Sequence, residues 1–373
     1  MTERVTRREF LGATGVASVG VLGTSPLQES SGPPVDVRGA IYLPTRVFNW
    51  YQLWHDYDES VIERDLGYAA RVNLNAIRLC CSYEFWVENP KAHERRLDHL
   101  LSAADEQDIE VLVCLFESVG LNPNEENLTN RDPLTATPVQ SPSRKILLDS
   151  SRWGETREFV RWFAERYGDD DRLLAIEVMN EPGWLPFKEE FAKSMFFTLR
   201  TARPSVPLTV GSTSLANNVE YTDWGSDVLQ FHYNFASSRE TYRRLLRDAN
   251  HLADSMDCPI WLTEWQRCRS GQGFEAEVVG DEWQPNYASL APEIRKAGVG
   301  NFFWSLMVKP AYVHAQRDQG VLGGLFHEDG AVWSLEDARG IQSMSGEVSF
   351  SGEERREWPE WALEVREEAF GGE

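Results

Sequence analysis

The sequence predicts an α/β fold, a single (β/α)8 barrel, and three observations predict it. Eight short segments rich in Val, Ile, Leu and Phe recur between residues 38 and 306 without polar alternation, the pattern of parallel strands buried on both faces. Amphipathic stretches of helical period separate them. The connections are unequal, long where the chain leaves a strand and short where it enters the next. Eight strand–helix units favour a closed barrel over an open doubly wound sheet. Function in such a barrel sits on the face with the long loops.

In chain order, strands are expected at 38–43, 75–80, 110–116, 173–179, 208–211, 228–232, 260–263 and 301–306. Helices are expected at 59–71, 93–107, 156–167, 188–200, 239–256 and 287–297, with Asp58 capping the first and Pro285 opening the last. The long segments are 44–57, 82–92, 117–149, 265–284 and 307–333, whereas Asn73-Leu74 and Asp108 make tight turns. Asn127-Leu128-Thr129, in the longest loop, is a glycosylation sequon, a triplet that is most often simply surface. The charged tail from Ile341 is expected to form a helix over 353–370, around Trp358 and Trp361, packed on the barrel.

The N-terminus carries a different signal. Thr6-Arg7-Arg8-Glu9-Phe10-Leu11 precedes a small, mildly apolar stretch from Gly12 to Leu22 and a small-residue end at Gly23-Thr24-Ser25. This is the pattern of a twin-arginine export signal. The organisation expected is therefore a signal over 1–27, a linker over 28–36, the barrel over 37–345 and a charged C-terminal segment over 346–373. Beyond the signal no stretch is long and apolar enough to span a bilayer, so an exported, extracellular monomer is expected.

With 37 basic and 59 acidic residues, the net charge is -22, and the acid is spread along the whole chain. Nucleic acid and anionic membranes are poor partners for so negative a surface. Plain solubility explains such a charge, as does a halophile's carboxylate-hydrated surface. The scarcity of lysine, four before residue 290, favours the halophile. Five cysteines lie at or beside predicted core strands, where the thiol acts as a small hydrophobe. No Cys-x-x-Cys or His-x-His spacing suggests a metal, and neither metal nor cofactor is expected.

The chemistry is concentrated at two strand ends. The run Leu173-Leu174-Ala175-Ile176-Glu177-Val178 closes in Met179-Asn180-Glu181-Pro182, and Pro259-Ile260-Trp261-Leu262-Thr263 closes in Glu264. A lone glutamate is most often a solvated carboxylate. Two at the C-terminal ends of barrel strands supply what a glycosidic bond requires, a general acid/base and a nucleophile. Asn180 is placed to meet a sugar 2-hydroxyl.

This Asn-Glu-Pro and Thr-Glu pair resembles glycoside hydrolase family five, the cellulase and β-mannanase family, within its clan of retaining (β/α)8 hydrolases. The resemblance implies Glu181 as acid/base after the fourth strand and Glu264 as nucleophile after the seventh. It further implies Arg78 as support for the nucleophile, His232 as a substrate- or nucleophile-side group, and Trp304 as a sugar platform. Two departures stand out. The family's histidine at the end of strand three is absent from Leu115-Phe116-Glu117-Ser118, so Glu117, Ser118 or Glu84 is expected to line the cleft instead. The tyrosine two places after the strand-six histidine is replaced by Asn234, and Tyr233 is expected to reach the nucleophile if the strand end is bulged.

Pyranose rings stack their C–H faces on aromatic rings, so tryptophans on or after strand ends suit a sugar cleft. Trp50, Trp184 and Trp265 are taken as substrate contacts, and Trp54, Trp86 and Trp283 share the pattern, with about half of the set expected to be structural. The expectation is a retaining hydrolase of β-linked polysaccharide or oligosaccharide. A silent carbohydrate-binding barrel and an exo-acting β-glycosidase of the same clan are the alternatives.

Overall fold

The computed structural model describes residues 35–267, 284–311 and 313–371. The expected export signal, Cys268 and Trp283 lie outside them, as does the expected linker except for residues 35 and 36. Eight parallel strands form the centre: β1 Arg38–Ile41, β2 Ala76–Cys80, β3 Glu110–Glu117, β4 Leu173–Asn180, β5 Leu208–Thr209, β6 Leu229–His232, β7 Ile260–Trp265 and β8 Gly300–Phe303. Their order is β5-β4-β3-β2-β1-β8-β7-β6. A parallel bridge between Thr209 and Val228 joins the two outer members. The Asp227 amide donates to the Leu208 carbonyl at 2.8 Å, so the sheet closes on itself. The fold is a (β/α)8 barrel, and an open sheet is excluded.

The helices form where the apolar period and the caps place them. Glu59–Arg71 begins at Asp58, whose carboxylate accepts from the Ser60 and Val61 amides, and it buries Ile62, Leu66 and Ala69. Tyr287–Ala297 is capped by Asn286 in a reciprocal box with Ser289, one residue after the expected proline start. The short turns into strands use left-handed residues: Asn73, Asp108, Asp257 and Gly298 all have positive φ. Such a residue ends a helix and turns the chain back within one or two positions, which is why that face carries little else.

The long loops therefore gather on the other face. The one after β8 contains an unexpected short hairpin, β9 Lys309–Pro310 against β10 Leu322–Gly323. The tail departs from expectation in its first half. Instead of a helix from 353, the Arg355 amide donates to the Val332 carbonyl and the Val332 amide to that of Glu353. This pairing holds the segment extended, and only Leu363–Phe370 is α-helical, after a short turn over Glu360–Ala362. Trp361 meets Phe48 edge-on at 6.4 Å, docking the tail on the barrel. Among the described residues no helix is long and apolar enough to cross a membrane.

Candidate active site

Strand β4 delivers its chemistry through a strained residue. Glu181 has φ +49°, a left-handed conformation unfavourable for a side chain with a Cβ. It is held there by its own amide, which donates to the Gly211 carbonyl at 3.1 Å, and by Ser118 Oγ, which donates to the Glu181 carbonyl at 2.7 Å. Pro182 follows and ends the strand. Gly211 is required at that approach, since a Cβ there would lie 2.3 Å from Oε1 of Glu177. Strands β6 and β7 are both irregular near their ends, with register shifts at Phe231/His232 and between Leu262 and Trp265. The first of these shifts pairs His232 with Glu264.

The three groups converge. His232 Nδ1 lies 2.6 Å from Oε1 of Glu181 and 3.7 Å from Oε2 of Glu264. One carboxylate oxygen from each glutamate and this nitrogen all fall within 4.8 Å of one another. Inverting enzymes separate their carboxyl groups by about 6.5–9.5 Å to admit a water, and retaining enzymes by about 5–5.5 Å. The pair here has the close spacing. Three such atoms are near enough to ligate a cation, but each already has a neighbour of opposite charge, and the Arg78 guanidinium stands 3.8 Å from Glu264.

Electrostatics divide the pair. Burial opposes ionisation of Glu181, but hydrogen bonds from His232 and Trp184 and the charge of Arg78 outweigh it, so its pKa is lowered. Burial raises that of Glu264, and the neighbouring Glu181 charge raises it further against His232 and Arg78. Burial lowers the pKa of His232, yet the two glutamates prevail and raise it.

A buried polar network supports these groups from below. Arg78 is 2% exposed and grips Glu177 with two hydrogen bonds, of 2.7 and 2.6 Å. Its Nη2 also donates to Asn180 Oδ1 at 2.7 Å. Asn180 Nδ2 donates to Glu117 Oε1 at 2.7 Å, and Trp50 Nε1 donates to Glu117 Oε2 at 3.1 Å. Arg78 therefore acts on Glu264 across 3.8 Å while its strongest contact is Glu177. Of the residues expected to replace the missing histidine, Glu117 takes part in this network, and burial raises its pKa to about 7. Ser118 holds the Glu181 backbone, and Glu84 accepts from Ser141 Oγ at 2.6 Å.

The remaining candidates separate into two groups. Trp184, 64% exposed, donates from Nε1 to Oε2 of Glu181 at 2.9 Å. Trp304 directly follows β8 at 9% exposure, with Gly323 of the hairpin 3.8 Å from its ring, measured from where a Cβ would stand. Trp265 is a correction: its ring is fully buried, bonded to Asn301 and edge-on to Tyr287 at 5.6 Å, so it offers no face to a sugar. Trp50 is 5% exposed and anchors Glu117. Trp54 is fully buried and bonded to the Cys80 carbonyl, and Trp86 packs among Phe159 and Trp162.

Tyr233 is also corrected. Its ring stacks on Tyr242 at 5.6 Å, and only its backbone amide meets Glu264, at the carbonyl. The side chain that reaches Glu264 is Asn234, whose Nδ2 donates to its Oε1 at 2.8 Å. The residue that first looked like a loss carries the contact. Glu177 was also missed, although the signal was present: a lone arginine and a lone glutamate inside two buried strands must find each other.

Comparison with known proteins bears on the whole arrangement. An exo-β-1,4-mannosidase from Opitutaceae bacterium strain TAV5 superposes with TM-score 0.57 at 16% identity, over 86% of this chain and 62% of that one. The chain thus spans less than two thirds of that relative. A family 5, subfamily 18 glycoside hydrolase from Streptomyces cattleya, in complex with Manβ1-4GlcNAc, gives TM-score 0.57 at 16% identity over 83% and 80%. An endo-β-1,4-mannanase from Thermotoga petrophila gives 0.51 at 12% over 85% and 77%. At such identities these likenesses show the fold. Comparison with curated protein sequences finds no match. The model of the cellulase family, glycosyl hydrolase family 5, matches residues 44–310, most of the chain and both strand-end glutamates. The chain belongs to glycosyl hydrolase family 5.

Proposed function

We propose that the protein hydrolyses β-linked oligosaccharide or polysaccharide with retention of configuration, by double displacement between Glu264 and Glu181. One observation carries this: their oxygens lie within 4.8 Å at the ends of β7 and β4 of one barrel. Glu264 attacks the anomeric carbon as Glu181 gives its proton to the departing glycosidic oxygen, forming a glycosyl ester and a free hydroxyl. Glu181, now a carboxylate, takes a proton from water, whose oxygen attacks the anomeric carbon and releases Glu264. Asn180, fixed between Arg78 and Glu117, is held ready for the 2-hydroxyl.

The mannosidase and mannanase likenesses put β-mannosides first in a substrate panel, with β-glucans and xylan beside them. The test is proton NMR of early products together with Glu264→Ala. A β-configured first product and loss of turnover in a folded variant are expected. An α-configured first product rules out double displacement. Absence of turnover on every aryl β-glycoside favours the silent binding barrel. We further infer export by the twin-arginine route and adaptation to concentrated salt, on the Arg7-Arg8 motif and the charge of -22. Cleavage or retention of residues 1–27 in the secreted protein, read by mass spectrometry, tests the first.

A further inference from the structure

We infer that Glu117 is a positioning residue for this reaction: its carboxylate holds the Asn180 amide in the setting that meets the sugar's 2-hydroxyl. The inference deepens the retaining reading above and rests on it.

The two residues are register partners at the ends of β3 and β4. On its other side Glu117 exchanges backbone hydrogen bonds with Ser141, its amide donating at 2.9 Å and its carbonyl accepting at 2.7 Å. The main chain is thus pinned from two directions. The side chain is 4% exposed. Its Oε1 accepts from Asn180 Nδ2 at 2.7 Å and from the Val119 amide at 2.8 Å, and Oε2 accepts from Trp50 Nε1 at 3.1 Å. None of these three donors carries a charge. Burying a carboxylate without a bonded cation costs stability, and a residue serving only to pack would avoid that cost. What the carboxylate supplies is acceptors on both oxygens, where a histidine in its place offers one at most.

The consequence falls on Asn180. The amide torsion of an asparagine is broad and roughly two-fold, so a single hydrogen bond leaves its plane free to swing. Arg78 has only donors and takes Oδ1, while the Glu117 carboxylate has only acceptors and takes one hydrogen of Nδ2. Held at both ends, the amide keeps its second Nδ2 hydrogen for the sugar. Glutamine at position 117 cannot do the same. Whichever way its own amide is turned, its NH2 group faces either Trp50 Nε1 or the N–H groups of Asn180 and Val119.

The test compares kcat/KM of the full chain on nitrophenyl β-mannoside and β-glucoside with that on the 2-deoxy glycoside common to both, since removing the 2-hydroxyl erases the difference between those sugars. The ratio of 2-hydroxy to 2-deoxy substrate, divided by that of the parent, cancels the intrinsic reactivity of each. Glu117→Gln should lower this ratio by about tenfold, the loss of one such contact. Asn180→Ala should lower it at least as far, and adding Glu117→Gln to that variant should lower it no further. An equal fall on both substrates, an unchanged ratio, or a further fall in the double variant overturns the inference and leaves double displacement standing. If Glu117→Gln does not fold, Trp50→Phe loosens the same carboxylate at Oε2 and should lower the ratio in the same sense, with equal losses again overturning the inference. A parent that turns over no aryl β-glycoside sinks the hydrolase reading, and this inference with it.

Discussion

Arg78 and Glu177 form a two-pronged ion pair in the middle of the barrel, with side-chain exposures of 2% and 0%. The same guanidinium fixes Asn180 and faces Glu264. Removing one partner leaves an uncompensated buried charge, at a cost of about 3–5 kcal/mol. Glu177→Ala should therefore lower the denaturation midpoint sharply and reduce kcat as well. A melt indistinguishable from that of the parent would contradict the pairing.

Asn234 and Tyr233 make a second test, because the structure reverses the roles expected of them. A hydrogen bond to a charged group contributes about 1.5–3 kcal/mol, so Asn234→Ala should lower kcat/KM by about 10- to 100-fold. Tyr233→Phe removes a hydroxyl that makes no contact with Glu264 and should be close to neutral. Steady-state kinetics on one aryl β-glycoside decide it, and the opposite ranking would refute the assignment.

Glu84 gives a pH signature. Burial raises its carboxyl to about 7 against the hydrogen bond from Ser141, whereas an unfolded glutamate titrates near 4.3. Between those values the folded state holds a proton that the unfolded state has lost. Its contribution is thus fully present below about pH 4.3, falls as pH rises, and is gone above about pH 7. Glu84→Gln, which keeps an acceptor for Ser141, should gain on the parent as pH rises. Melts at about pH 5 and about pH 8 measure this; an unchanged difference would remove Glu84 from the account.

Salt supplies the fourth test. A charge of -22 repels itself strongly at low ionic strength, and the screening length falls from about 10 Å at 0.1 M to about 3 Å at 1 M. Melting temperature and rate should climb as sodium or potassium chloride goes from millimolar to molar. Flat values across that range would leave the acidity as ordinary solubility.

Much of this molecule is legible in its sequence, and the reason is local. Strands buried on both faces write themselves as apolar runs, so all eight were found within a few residues. Helices 59–71, 239–256 and 287–297 were found to the residue because caps and period agree. The convergence of Glu181, Glu264 and His232 was legible because each stands at the end of a strand. The site was not legible where a bulge decides which neighbour points inward. The register shift at Phe231/His232 puts the Asn234 side chain, not the Tyr233 hydroxyl, on Glu264, and no residue type announces that. Trp265 failed for a related reason: alternation at the irregular end of β7 turned it into the core.

The barrel's ring of hydrogen bonds is uneven. Strands β3 and β4 pair through six residue pairs, whereas β5 and β6 meet at the single Thr209–Val228 bridge. Stiffness must follow the same gradient. The staves that carry Arg78, Glu117 and Asn180 cannot shift without breaking many bonds at once, and the hoop's thinnest link lies one strand beyond β4, between β5 and β6. The stave that carries Asn180 thus stands between the ring's firmest seam and, one strand on, its weakest.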